Sequence, residues 1–310
     1  MIPPLASSYA SSSRRESYRL FAHDEWRITP RVLANIGAMY ERDGIGEENV
    51  SPRAALNFHL TAQHTLRAGA SLAYRTPALI EEKFRAIAPG VLLIPEQRVT
   101  SPGLRAERML SREIGYLGRF DNGALLDVRL FSDDLSDGIF ANKITSSFTN
   151  GMSTRYRGLE STLKYTFGKA DDLTVNFSHA RGSSNGPTLF AAGQGIFRSV
   201  SPWTADVYEA SIPRNSGSVL YAHRFADDAS FSAAYYRQDA LQPFDRGDID
   251  YQPAQNRTDV RVAKTFRQVA GLSGDIALVV QNLFNQKYSE YIASNVFNQR
   301  AYVTLNLKWR

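Results

Sequence analysis

The sequence predicts an all-β chain: a transmembrane antiparallel β-barrel meander, incomplete, with about thirteen strands of a larger barrel. Three observations predict it. Near the C-terminus, Ile276, Leu278 and Val280 alternate with Asp275, Ala277, Val279 and Gln281. In the final run Val303, Leu305, Leu307 and Trp309 take one face, and Tyr302, Thr304, Asn306 and Lys308 take the other. A period of two belongs to a strand with one apolar and one polar side. Second, the connections between such runs alternate between short (two to about seven residues) and long (up to roughly thirty), as in barrels with short turns at one rim and long loops at the other. Third, Trp26, Phe58, Phe120, Phe167, Phe225, Phe266 and Trp309 mark the short-turn ends of successive descending strands. Such a row suits a membrane–water interface. A soluble β-sandwich or propeller also alternates, but has no reason to sort its loops by end or its aromatics by rim.

Residues 1–15 are Ser- and Pro-rich and read as a loop or tail. Residues 16–28 form the first strand, ending near Trp26, and residues 31–42 return with Val32, Ala34, Ile36, Ala38 and Tyr40 on one face. After a Gly/Glu-rich loop at 43–50, Ala54, Leu56, Phe58 and Leu60 oppose Arg53, Asn57 and His59. Leu66, Ala68, Ala70, Leu72 and Tyr74 then oppose Arg67, Ser71 and Arg75. Residues 76–108 interrupt the pattern, and 113–120 resume it with Ile114 and Tyr116 on the apolar side. Asp121-Asn122-Gly123 is a hairpin signal. Leu126, Val128 and Leu130 follow, opposite Asp127 and Arg129, and residues 132–153 read as a long loop. Leu159, Leu163, Tyr165 and Phe167 oppose Glu160, Thr162 and Lys164, a turn at 168–172 leads into Leu173, Val175 and Phe177, and 181–214 read as a Gly/Pro/Ser-rich loop. Two further hairpins, turning at 226–228 and 268–273, complete the series around a loop at about 238–256. Asp24 and Arg112 fall in the apolar register, and Val219 against Leu220 leaves the face of their strand open.

Composition bounds the function. The 310 residues carry 36 basic and 31 acidic side chains, a net charge of +5 with no basic block, which argues against nucleic acid as a partner. Cysteine is absent, so thiol catalysis, disulfides and Cys-based zinc sites are excluded. The mean hydropathy of −0.32 is compatible with a barrel, in which only alternate residues face lipid. The segment Met1-Ile2-Pro3-Pro4-Leu5 has neither the basic nor the apolar region of an export signal. Because a barrel of this kind must be exported, the expectation is that the chain is the latter part of a longer one. The odd strand count points the same way, since bacterial single-chain barrels have even numbers.

Several motifs in order resemble those of one family. Ser51-Pro52-Arg53, Thr65-Leu66-Arg67 and Tyr74-Arg75-Thr76-Pro77-Ala78-Leu79-Ile80-Glu81 are similar to the SPR, TLR and FRxPxLxE segments of TonB-dependent outer-membrane receptors. Leu104-Arg105-Ala106-Glu107 through Ser111-Arg112-Glu113-Ile114-Gly115-Tyr116 resembles their LxPExxxSxExGY stretch, with Ala106 where Pro is usual. Asn150-Gly151, Gly158-Leu159-Glu160 and Asn282-Leu283-Phe284-Asn285-Gln286-Lys287-Tyr288 complete the set. The resemblance covers residues 16–310. It implies the C-terminal part of a plugged barrel of 22 strands in the bacterial cell outer membrane. The implied activity is TonB-dependent uptake of a ferric siderophore or similar scarce nutrient. The implied partners are outer-membrane lipid, that ligand, the barrel assembly machinery, and the TonB complex through an N-terminal region. A passive porin-like channel is the competing reading, and an outer-membrane enzyme a third.

Residue chemistry adds candidates. The histidines His23, His59, His64, His179 and His223 have no metal-ligand spacing, no nucleotide or nucleophile motif is present, and neither cofactor nor catalytic residue is expected. Arg53, Arg67, Arg75, Arg129, Glu160 and Lys164 are expected to face the lumen, because a basic residue toward lipid near the midplane costs roughly 2–4 kcal/mol. In the long loops Arg85, Arg98, Arg198, Trp203, Tyr208 and Tyr251 are the ligand-binding candidates. Guanidinium groups and aromatic rings suit an anionic, partly planar ligand.

The last strand generates a prediction. In the resembled family a C-terminal strand ending in an aromatic residue is read by the assembly machinery. Here Trp309 keeps the alternation while Arg310 takes the terminal place. In a complete parent receptor, Trp309→Ala is expected to lower assembled barrel more than Arg310→Ala, measured by heat-modifiable gel mobility of membrane fractions. Equal loss from both, or loss from Arg310→Ala alone, is the contrary result.

Overall fold

The computed structural model describes residues 15–44, 47–83, 85–86, 97–98, 103–142, 147–185, 209–242, 251–269, 272–290 and 294–309. Thirteen long strands form one sheet in strictly sequential order. They are β1 (Ser17–Thr29), β2 (Val32–Asp43), β3 (Glu48–His59), β4 (His64–Arg75), β5 (Glu107–Arg119), β6 (Ala124–Asn142) and β7 (Ser147–Phe167), followed by β8 (Asp171–Asn185), β9 (Asn215–Arg224), β10 (Ala229–Gln238), β11 (Gln255–Val269), β12 (Leu272–Gln281) and β13 (Arg300–Trp309). Every neighbouring pair is antiparallel. A five-residue helix, Leu79–Lys83, and two two-residue strand pairs sit in the long connections.

Register turns the alternation into two faces. Across β2 to β5, Val32 pairs with Phe58, Phe58 with Leu66, and Leu66 with Tyr116. Across β11 to β13, Val262 pairs with Leu278 and Leu278 with Val303. These rows make an apolar face, and large side chains on it such as Ile114, Leu130, Val262, Leu278 and Val303 are exposed. The opposite face is polar. Among the described residues the sheet has no second layer, and the buried apolar residues on the strands are few: Ala34, Met152, Ala234, Ala263 and Ala277. An apolar face of this extent left uncovered marks a contact with lipid or protein rather than with water.

Val175 pairs with Val219, which places Val219 on the apolar face and Leu220 on the polar one. Arg112 and Asp24 do stand on the apolar face, opposite Ser132 and Ile36. β1 and β13 do not pair with each other, so the sheet is not closed. Every residue of β1 is exposed, and nearly every residue of β13.

At the short-connection end, Trp26, Phe58, Phe167, Phe266 and Trp309 share the apolar face, while Phe120 and Phe225 occupy turns. Histidine and tyrosine join them. His64 bonds the Tyr116 hydroxyl at 2.7 Å, and Tyr221 donates to Asp171 at 2.6 Å beneath the stacked Phe167 ring. In the turn between β9 and β10, Lys264 donates to the Asp227 carboxylate at 2.8 Å, which holds that carboxyl below the usual range.

The long-connection end departs from the sequence reading. Residues 132–153 were expected as a loop, yet β6 runs to Asn142 and β7 begins at Ser147. β8 likewise runs to Asn185 into the expected loop at 181–214, and β2 and β3 leave only residues 44–47 between them. Long and short connections therefore do not alternate strictly. In the β6–β7 hairpin the sequence pattern is broken by bulges: the register shifts between Leu135 and Gly138 and again between Gly138 and Ile139, where Asp137 takes φ 54° and Gly151 φ 138°. An extra residue on each strand in turn breaks the period of two while the ladder continues.

Gly158 on β7 shows how tightly the strands approach. A Cβ there would lie 2.2 Å from the His179 backbone oxygen and 2.8 Å from the Phe131 ring. Gly158→Val is expected to lower barrel stability by about 1–3 kcal/mol, the cost of overpacking, read as a drop in the temperature of the heat-modifiable gel shift. Adding Phe131→Ala is expected to restore only part of the loss, because the His179 oxygen still blocks. Full restoration would assign the constraint to the ring alone.

Candidate functional site

The candidate site is the polar face. Its side chains come from alternate positions of the strands, where opposite charges on neighbouring strands can pair across the ladder. Arg53, Arg67, Arg75, Arg129, Glu160 and Lys164 all fall on it. The structure joins most of them. Arg67 reaches over Gly115 to pair with Asp127, and a Cβ on Gly115 would lie 2.6 Å from the Arg67 Nε. Arg129 spans Glu113 at 3.0 Å and Glu160 at 3.2 Å. Arg75 pairs with Glu107 and, at 3.1 Å, with Glu81. Asp127 and Glu113 were not among the residues expected to face the lumen. Their signal was present, as carboxylates in the polar register of adjacent strands.

The motif residues at the long-connection end prove to be cross-ties. Glu81 accepts from the Ala78 amide at 2.6 Å, and Glu107 accepts from the Ile139 amide at 2.7 Å. Asn150 accepts from the Arg105 amide at 2.8 Å and donates to the Asp137 carbonyl at 2.6 Å, clamping the bulge. Arg15 bridges the Asp43 carboxylate and the Pro77 carbonyl, the latter at 2.7 Å.

The Asn282–Tyr288 segment is the tightest of these ties. Asn282 is buried and left-handed (φ 53°), and Asn285 takes φ 52°. Asparagine is among the few side chains that tolerate this region. The Asn282 amide donates to Asp259 at 2.9 Å, its side chain donates to the Gln286 carbonyl at 2.9 Å, and its side-chain oxygen accepts from the Gln286 amide at 3.1 Å. The loop thereby delivers Tyr288, whose hydroxyl accepts from Arg257 at 3.2 Å. Arg257 also lies 3.1 Å from Asp259 and over the Tyr236 ring at 4.9 Å.

These groups wall a recess of about 520 Å³ lined by Glu160, Asn176, Ser218, Tyr236, Arg257 and Tyr288. A hydroxyl–amide ladder forms its floor: Thr162 donates to Asn176 at 2.9 Å, and Asn176 donates to Ser218 at 3.0 Å. The Arg257 Nε and the Gln255 Oε1 on its wall have no hydrogen-bond partner among the described residues. Donors and acceptors spread over such a wall suit reversible contact with a polar ligand or protein segment. They do not assemble a nucleophile with its base.

The loop candidates fare differently. Arg85 and Arg98 pair with each other through their backbones in a two-residue antiparallel strand pair. Tyr251 is exposed beside the bridge between Leu241 and Gln252. Arg198, Trp203 and Tyr208 lie outside the described residues.

A family model described as TonB dependent receptor-like, beta-barrel, matches residues 2–283. The ferric enterobactin receptor of Pseudomonas aeruginosa is 25% identical over 235 residues, covering 66% of this chain and 31% of that protein. The crystal structure of the ferric enterobactin receptor PfeA from Pseudomonas aeruginosa superimposes with a TM-score of 0.70 at 19% identity, over 98% of this chain and 46% of that one. The ferric-catecholate import receptor Fiu from E. coli gives 0.65 at 15% identity, over 94% and 44%. The copper transporter OprC gives 0.68 at 15%, over 94% and 46%. At these identities the solved structures establish the fold. The chain spans about half the length of those structures and about a third of the curated relative.

Asn282→Ala tests the cross-tie at the last long connection. The left-handed backbone and two side-chain bonds together are expected to contribute about 2–4 kcal/mol. The measurement is the urea midpoint of the refolded barrel in micelles. Asn282→Gly keeps the backbone conformation and is expected to lose about half as much. No difference between the two variants would mean that the backbone conformation contributes nothing.

Proposed function

The chain belongs to the TonB-dependent receptor family through its β-barrel, and from that membership we propose that it acts in energised uptake of a ferric siderophore or similar scarce nutrient across the outer membrane. The observation that carries the proposal is the family match over residues 2–283. Residues 16–310 are read as the C-terminal portion of the receptor barrel, with the earlier strands covering the exposed edges of β1 and β13. A plug-bearing N-terminal region then supplies the contact with the TonB complex, and the barrel assembly machinery inserts the product.

In this reading the polar face lines the lumen, and its ion-paired ladders meet water and the plug. The apolar face meets outer-membrane lipid, with Trp26, Phe58, Phe120, Phe167, Phe225, Phe266 and Trp309 at the interface. Arg85, Arg98, Arg198, Trp203, Tyr208 and Tyr251 are the proposed loop contacts for ligand. That one curated relative is a ferric enterobactin receptor supports an iron-bearing anionic ligand. No covalent chemistry is required of the chain.

The test is uptake of radiolabelled ferric enterobactin by iron-starved cells lacking their own siderophore receptors. A complete receptor carrying this region is expected to transport only when TonB is present. The 310-residue chain alone is expected to give no uptake. TonB-independent flux of small solutes would support a porin-like channel and overturn the proposal.

A further inference from the structure

One part of the apolar face is not apolar. Across β5 to β8 the rows can be read in register. Ile114, Leu130, Leu159 and His179 make one row. Two residues further along each strand, toward the long connections, the row becomes Arg112, Ser132, Arg157 and Arg181. The change from aliphatic to guanidinium takes one step and affects several strands together. Arg157 and Arg181 are about one strand-crossing, roughly ten residues, from the aromatic rim at Phe167. With a rise of about 3.3 Å per residue and a tilt near 45°, that is close to the roughly 25 Å height of a barrel's apolar band.

The charge balance of this patch is unusual. Asp134 is the acidic residue in the next row, and it already pairs with Arg155 and, at 2.9 Å, with Arg112. Arg157 and Arg181 are direct cross-strand partners, both exposed, and among the described residues neither has a carboxylate partner. Like charges directly opposite destabilise a strand pair. Such a pair on a lipid-side face calls for an anion from outside. Arg155, Arg157, His179 and Arg181, with Leu130 and Leu159, line a recess of about 570 Å³. Its floor is aliphatic and its upper wall is basic. A small free anion uses only the wall, whereas an amphipathic anion uses both.

We propose that this recess binds the phosphate-bearing headgroup of an outer-leaflet lipid, with Arg157 and Arg181 on the phosphate and the lipid chains along Leu130 and Leu159. The inference rests on the outer-membrane reading above and goes beyond it, because it concerns the outside of the barrel and not the transport path. Paired guanidinium groups match phosphate oxygens through parallel hydrogen bonds. Basic pockets at membrane surfaces recognise anionic headgroups in the same way.

The experiment is native mass spectrometry of a complete receptor carrying this region, extracted from outer membranes and titrated with diphosphorylated lipid A in mixed micelles. The arms are dephosphorylated lipid A, and lipid A with millimolar inorganic phosphate as competitor. Wild type is expected to hold diphosphorylated lipid and to lose it on dephosphorylation. Arg157→Ser with Arg181→Ser is expected to lower apparent affinity on the order of twenty-fold, from about fivefold per basic residue. Arg53→Ser on the polar face is expected to leave it unchanged. Equal binding by the double variant in a barrel that shows normal heat-modifiable mobility would overturn this inference and leave the receptor reading standing. Full competition by inorganic phosphate, with no dependence on the lipid body, would also overturn it. Failure of the complete receptor to enter outer membranes would overturn both.

Discussion

A chain placed in hydrocarbon must pair every backbone N–H and C=O within itself, since no water is there to do so. The rest of this structure follows from that requirement. It selects long uninterrupted ladders, which impose the two-residue alternation, which separates the side chains into an aliphatic surface and a hydrated one. It also explains why the sheet needs no second layer. The apolar residues are satisfied by whatever lies beyond them, and the small buried alanines mark close strand approach rather than a globular core.

Once the backbone is settled, side-chain polarity is free to do local work, and it does so mostly at the rim with long connections. There Glu107 and Asn150 satisfy backbone amides from segments distant in sequence, while Glu81 and Asn282 satisfy amides of their own turns. The residues that carry the resemblance to receptor motifs are in this structure mainly fasteners for loops. Loops held at their roots can differ widely beyond them, a division between rigid scaffold and variable surface that suits recognition.

Much of the fold could be read from the chain because alternation is a local property: the aliphatic row through Val303, Leu305 and Leu307 is visible without any knowledge of its partner. What could not be read depends on partners or on broken periodicity. The face of Val219 is decided by Val175 on another strand. The extended β6–β7 hairpin is hidden by the bulge at Asp137, where the ladder persists and the pattern does not. The ion pairs of the polar face join residues tens of positions apart, such as Arg67 with Asp127, so residue type alone could name the members but not the pairs. The recess beside Tyr288 was missed for the same reason. Its key group, Arg257, acquires its role only when Asn282 turns the following loop back over it.

The strictly sequential order of strands has a further consequence. Among the described residues each strand pairs only with the one before and the one after, so the sheet behaves as a nearly one-dimensional array, as repeat proteins do. Defects in such an array stay within a neighbour or two. A loop can lengthen, shorten or be exchanged between homologous genes without disturbing registers elsewhere. Recombination among genes for such barrels can therefore pass on a new set of outward loops as one inherited block, with the hairpin as the unit of exchange.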